Sequence, residues 1–164
     1  MKNKEEKYRD VLAQVKSLCD GEPDMVAKMA NVSALLHQEF GFWWTGFYRV
    51  EGGGCVGDCA PGQTQSVLVL GPFQGPIACV RIGYGRGVCG TAWKERRTVV
   101  VPDVEEFPGH IACSSESRSE IVVPVFQGDE VVAVLDIDSR DLATFDDTDA
   151  CWLERVAECL VCHK

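Results

Sequence analysis

The stretch IVVPVFQGDEVVAVLDIDS, Ile121 to Ser139, constrains the fold most. Two apolar runs rich in β-branched residues, IVVPVF and EVVAVLDI, flank Gln127-Gly128-Asp129. A connection this short joins antiparallel strands, because a parallel pair needs a crossover of a dozen or more residues. Nowhere does the chain repeat a strand–helix unit of the kind that builds a doubly wound parallel sheet. The fold class read from this pattern is α+β: a central antiparallel sheet with helices packed on it.

Helical periodicity is found near both ends of the chain and in one short central segment. Tyr8, Val11, Leu12, Val15 and Leu18 form an apolar stripe within residues 4–18, and DGEPD then breaks the chain. Met25, Met29, Val32, Leu36 and Phe40 form a second stripe that stops at Gly41. The period then changes, and FWWTGFYRV reads as a strand with Trp44 and Tyr48 on one face. EGGGCVGDCAPGQTQ is a loop by composition. SVLVLG and PIACVRI read as two further strands with PFQG as the turn between them. GVCGTAWKERR predicts a short helix and TVVV a short strand, and residues 102–119 a long loop of the kind that is usually functional or disordered. Thr144 is placed to cap a last helix, with Leu153, Val156, Ala157 and Leu160 on its buried side. The chain is read as one domain over residues 1–164, with an N-terminal helix in 1–20 and an inserted loop at 52–65.

Charge narrows the choice of partner. With 16 basic against 25 acidic residues the formal net charge is −9, which argues against a nucleic-acid backbone or an anionic membrane. No apolar run approaches the ~20 residues needed to cross a bilayer. The opening MKNKEEKYRD lacks the apolar core of a signal peptide, so the expected location is the cytoplasm. Nine cysteines, an odd number without a leader, do not suit a secreted disulfide scaffold. Metal binding, thiol chemistry and inert packing remain. Cys55 and Cys59, and Cys159 and Cys162 beside His163, have short spacings, but neither pair has the setting of a zinc ribbon, so no metal is assigned.

Three constellations carry possible chemistry. Gly85, Gly87 and Gly90 satisfy G-x-G-x-x-G, with Asp103 downstream. The dinucleotide reading needs a parallel βαβ unit, which Pro102 and the loop after it do not resemble. A glycine-rich turn before a helix is the plainer reading, and such a turn also attracts an anion such as a carboxylate. Cys89 lies in this segment, where a helix N-terminus lowers a thiol's pKa. Second, Asp136 and Asp138 lie two apart on a strand and share a face, with Glu120 across the hairpin. They are either a solvated strand end or a pocket for a cation in which crowding keeps a carboxyl protonated. Third come Cys79, Cys89 and Cys113. Cys79 in PIACVRI looks like core, whereas Cys113 stands in the polar run HIACSSESRSEI.

The segments GFYRV, GYGRGVCGTAW, VPDVEEFPGHIACSSESRSEIVVPV and VLDIDS closely resemble the free methionine-R-sulfoxide reductases, small enzymes built on a GAF domain. The resemblance runs from about residue 25 to 161. It implies a GAF fold, reduction of free methionine (R)-S-oxide, a homodimer, recharging by thioredoxin, and no metal or organic cofactor. It implies Cys113 as nucleophile, Cys79 as resolving thiol and Cys89 as a third redox position. Trp44 and Tyr48 match an aromatic wall for the substrate's thioether end. Glu120, Asp136 and Asp138 match the polar pocket for the ammonium and the sulfoxide, with Glu120 the expected acid. The family offers no role for Cys19, Cys55, Cys59, Cys151, Cys159 or Cys162. A rival reading from another class is a GAF module that senses a small ligand such as a cyclic nucleotide and does no chemistry.

Overall fold

The computed structural model describes residues 2–54, 65–111 and 115–161. Two helices, α1 (Lys4–Cys19) and α2 (Met25–Phe40), precede strands β1 (Trp44–Gly54), β2 (Gln65–Gln74) and β3 (Arg81–Ile82). Helix α3 (Gly87–Glu95), strand β4 (Val99–Val101) and a 3-10 turn (Val104–Glu106) follow. Strands β5 (Ser119–Gln127) and β6 (Glu130–Ser139) and helix α4 (Asp147–Glu158) complete the order. The six strands form one sheet in the order β3-β2-β1-β6-β5-β4, and each neighbouring pair is antiparallel. The α+β expectation holds. Among the described residues no helix is long and apolar enough to cross a membrane.

The central hairpin forms as its sequence requires. Gln127 pairs with Glu130, and Gly128 takes φ +60°, a conformation glycine adopts without strain. Strand alternation then divides the sheet into two faces. Phe47, Ile121, Val123, Val125, Ala133, Leu135 and Ile137 point to one side. There they meet the apolar stripes of α1, α2 and α4, and the central residues of this core are fully buried. At its rim the Tyr8 hydroxyl donates to Asp149 Oδ1 at 2.6 Å, and Lys4 pairs with the other oxygen of Asp149. On the opposite face Trp44, Tyr48, Val122 and Val134 pack under α3 through Val88, Cys89, Ala92 and Trp93.

Three local expectations differ from the structure. Strand β2 runs on through Pro72, Phe73 and Gln74, so PFQG is strand up to Gly75 rather than a turn. Only Arg81–Ile82 of PIACVRI pairs with β2. The residues before it carry Ile77 at 89% exposure and Val80 at 57%, so the apolar run that suggested a strand lies along the surface. The last helix is capped by Asp146, whose side chain accepts from the backbone N–H groups of Thr148 and Asp149. Thr144 instead donates its hydroxyl to Ser139 Oγ at 2.7 Å, bracing the end of β6. Of the inserted loop expected at 52–65, residues 52–54 instead continue β1 and Gln65 opens β2, while residues 55–64 lie outside the described residues, so the one-domain reading rests on sequence there.

Candidate active site

The second face of the sheet is not apolar throughout. Register sets Trp44 opposite Asp138, and Asp138 opposite Glu120. In the next row Gly46 faces Asp136, and Asp136 faces Val122. Period-two alternation therefore brings the three carboxyls to one side, as the LDID spacing predicts. Gly46 is required in this arrangement. A Cβ there would stand 2.3 Å from Phe73 Cβ and 2.7 Å from the Trp44 ring. Without it Phe73 closes against Trp44, the rings stacked with centroids 5.2 Å apart, and Tyr48 stacks on the other flank at 6.0 Å. Trp44 Nε1 donates to the Pro76 carbonyl at 3.0 Å, and the Tyr48 hydroxyl to the Cys79 carbonyl at 3.0 Å. These two bonds hold the 76–79 segment as one wall.

The result is a cavity with about 580 Å³ of space, the open solvent at its mouth included. Its floor is Glu120, Asp136 and Asp138, its aromatic side Trp43, Trp44 and Tyr48, and its far side the start of α3. Arg86, Gly87 and Cys89 border it there, and His110 and Ser117 come from the loop before β5.

Electrostatically the floor is short of positive charge. Among the described residues no lysine or arginine pairs with the three acids, and the nearest basic group is His110 Nε2, 3.6 Å from Glu120 Oε2. Burial is the main force raising the Glu120 pKa, followed by the charge of Asp138. Burial and then Glu120 raise Asp136, and burial and then Asp136 raise Asp138. The Ser117 hydroxyl donates to Asp138 Oδ1 at 2.7 Å and offsets part of that rise. Asp136 Oδ1 is buried with no hydrogen-bond partner among the described residues. A buried acceptor without a donor marks the place where a ligand's positive or protonated group would sit. The solvated-strand-end reading of the trio is thereby excluded.

The cysteines divide. Cys79 is disulfide-bonded and half-buried, not a core thiol. Cys89 is a buried free thiol whose sulfur lies within 4.8 Å of ligand atoms of both Glu120 and Asp136. The expectation of a lowered Cys89 pKa fails: burial, then the charges of Asp136, Glu120 and Asp138, push it well up and outweigh the helix N-terminus. Cys113 lies outside the described residues, as do Cys55, Cys59 and Cys162. The dinucleotide reading of Gly85, Gly87 and Gly90 also fails. α3 connects antiparallel strands at opposite edges of the sheet, and the Asp103 side chain accepts from Glu105 N rather than facing a nucleotide site. Its glycines serve packing: a Cβ on Gly90 would meet the Gly83 carbonyl at 2.5 Å.

Sequence reasoning named Trp44, Tyr48, Cys89, Glu120, Asp136 and Asp138, and the fold gathers all six. It missed His110 and Ser117, although both lie in quoted motifs beside named residues. It also missed Trp43, whose ring lies under the Arg140 guanidinium at 3.5 Å.

This sheet with a ligand cavity under α3 defines a GAF domain, and the family model for that domain matches residues 30–159. The chain is 44% identical to the free methionine-R-sulfoxide reductase of Escherichia coli, over 90% of this chain and 82% of that protein. It is 39% identical to the Saccharomyces cerevisiae enzyme of the same name, over 95% and 84%. The structure of the Neisseria meningitidis free methionine-R-sulfoxide reductase in complex with its substrate superposes with a TM-score of 0.87 at 49% identity, covering 98% of this chain and 89% of that one. The chain belongs to the free methionine-R-sulfoxide reductases, a family of GAF-domain oxidoreductases.

Proposed function

We propose that the protein reduces free L-methionine (R)-S-oxide to L-methionine with its own thiols. The observation that carries this reading is the cavity: three buried carboxyls beside an aromatic wall, with no lysine or arginine paired to those carboxyls among the described residues. A free amino acid brings a cation as its ammonium, to rest between Asp136 and Asp138. A peptide-bonded residue lacks the charge and would leave the acids unpaired, so discrimination against it is strong. Arg86 and the N–H groups opening α3 suit the substrate carboxylate. Trp44 and Tyr48 hold the methyl–sulfur end and fix the accepted configuration. A cyclic nucleotide is disfavoured by the same electrostatics, since its phosphate would enter beside three acids.

In the chemical step the Cys113 thiolate attacks the sulfoxide sulfur while Glu120 gives its proton to the sulfoxide oxygen. The adduct then collapses: its sulfur–oxygen bond and the new bond to Cys113 break, the hydroxyl passes to Cys113 as a sulfenic acid, and methionine is released. Methionine sulfur gains two electrons and Cys113 sulfur loses two. The raised Glu120 pKa supports its role, because an ionised carboxylate has no proton to give. Cys79 then condenses with the sulfenic acid, forming a disulfide and water, with Cys89 as the alternative thiol. That Cys79 is disulfide-bonded supports this assignment. Thioredoxin reopens the bond by exchange, and the working form is a cytoplasmic homodimer.

The test is to incubate reduced protein with dithiothreitol and racemic methionine sulfoxide. Half the substrate is consumed and the S form remains. Cys113→Ser abolishes this, and Cys79→Ser leaves one methionine per enzyme in a single turnover without dithiothreitol. No turnover together with nucleotide binding would instead establish a sensing module.

A further inference from the structure

We infer that His110 is the proton relay of the site: it returns to Glu120 the proton that Glu120 gives up to the sulfoxide oxygen. The inference rests on the reductase reading above and adds a positioning residue to it. His110 borders the cavity, and its Nε2 stands 3.6 Å from Glu120 Oε2. Its side chain keeps 15% exposure against 8% for Glu120, so of the two the imidazole has the better path to water. Its backbone N–H donates to the Phe107 carbonyl at 3.2 Å, which ties the loop to the 3-10 turn.

The other titratable groups that line the cavity explain why, among the described residues, the imidazole is the one suited to relay. Asp136 and Asp138 from β6 are themselves buried acids, and Cys89 from α3 is held as a thiol. Arg86, at the start of α3, is the group set aside above for the substrate carboxylate. Burial lowers the His110 pKa while it raises that of Glu120, and both shifts favour a proton resting on the carboxyl rather than on the imidazole. A gap of 3.6 Å exceeds a hydrogen bond, but sites of this kind often tighten only when substrate is bound.

The proton count closes. Cys113 releases one proton on becoming a thiolate, Glu120 delivers one to the oxygen, and His110 passes one to Glu120. No net proton is consumed in the sulfenic acid step. His110 never touches the substrate, and it acts through Glu120.

The test compares His110→Ala and His110→Gln with wild type in the dithiothreitol assay, across pH and with added imidazole. Gln keeps a hydrogen-bonding side chain of similar reach but does not titrate. Loss of a relay lowers kcat by roughly 10²-fold in both variants, within the usual range for acid–base groups, with KM changed less than threefold. The pH profile loses the limb assigned to the imidazole, and imidazole in solution restores part of the rate to the Ala variant. Full activity in either variant overturns the relay. So does a rise in KM with an unchanged pH profile and no rescue, the signature of a loop anchor. Wild type that does not reduce the sulfoxide overturns the reductase reading, and the relay with it. Active wild type with indifferent variants overturns the relay alone.

Discussion

Replacing Asp136 by asparagine separates what the acidic floor does for binding from what it does to the fold. In the unfolded chain a carboxyl loses its proton near pH 4. In the folded protein, burial and the neighbouring acids hold protons on Glu120, Asp136 and Asp138 to higher pH. Between those limits the native state binds more protons than the unfolded state, so unfolding free energy falls as pH rises. Each such proton contributes a slope of about 1.4 kcal/mol per pH unit. Below about pH 4 both states are protonated and the penalty disappears. Above the raised folded-state values the loss is complete and the slope levels off.

Asp136→Asn removes at least one proton from that difference. The variant should gain on wild type by about 1.4 kcal/mol for each pH unit inside the window, or roughly 3–6 °C in melting temperature for a domain of this size. Asp146, lowered to about 2 chiefly by its hydrogen bond with Lys4, responds in the opposite sense at acid pH. It is present in both proteins and cancels in the comparison. The assay is thermal unfolding of the reduced, substrate-free proteins by circular dichroism at pH 5, 6 and 7. Activity should fall steeply in the same variant through loss of the ammonium partner. Parallel curves for the two proteins, or a variant that loses ground as pH rises, would refute the claim that this acid is held protonated at a cost to the fold.

Two further outcomes follow from the packing. Gly46→Ala forces a methyl against Phe73 and the Trp44 ring, so it should destabilise by about 1–3 kcal/mol and raise KM as the aromatic wall shifts, read by melting and by steady-state kinetics. A melting shift below 1 °C with unchanged KM would show that β1 and β2 separate freely there. Asp149→Ala leaves the buried Tyr8 hydroxyl without its acceptor and removes the reciprocal cap of α4, so it should cost about 2–3 kcal/mol with KM unchanged. A melting temperature equal to wild type would mean that Lys4 and water replace the lost contacts.

The fold was legible where the sequence had to choose one answer. A three-residue link between two apolar runs admits only a hairpin, and the step of two between Asp136 and Asp138 admits only a shared face. Both hold in the structure. PIACVRI was misread because an apolar run carries no statement of what covers it. Here Trp44 and Tyr48 take carbonyls of that segment as hydrogen-bond acceptors and hold it away from the sheet. Thr144 and Asp146 are both competent caps, and the choice between them depends on Ser139, which occupies the threonine hydroxyl. The Cys89 thiol was misjudged for a related reason. Helix N-termini act locally, whereas what outweighs this one is burial in the tertiary fold and then acids from strands more than thirty residues downstream in the chain. His110 was visible in the same motif as Cys113, but nothing in a one-dimensional pattern measures its distance to Glu120.

The two faces of the sheet divide stability from function. The face under α1, α2 and α4 is closed by apolar side chains from Tyr8 to Leu160, and its buried charged groups Asp149 and Lys28 are paired, Lys28 with the Leu160 carbonyl. The face under α3 carries three acids that repel one another and one orphaned oxygen. Such a floor persists because strands β5, β6 and β1 are already fixed by the opposite face, so the acids cannot relax without breaking pairing that the apolar core enforces. The same rigidity prepares the site. An ammonium entering it meets carboxyls already in position, and it relieves a repulsion that the empty protein carries. Ligand binding should therefore raise melting temperature more in wild type than in Asp136→Asn at equal saturation, since the variant keeps only the repulsion between Glu120 and Asp138.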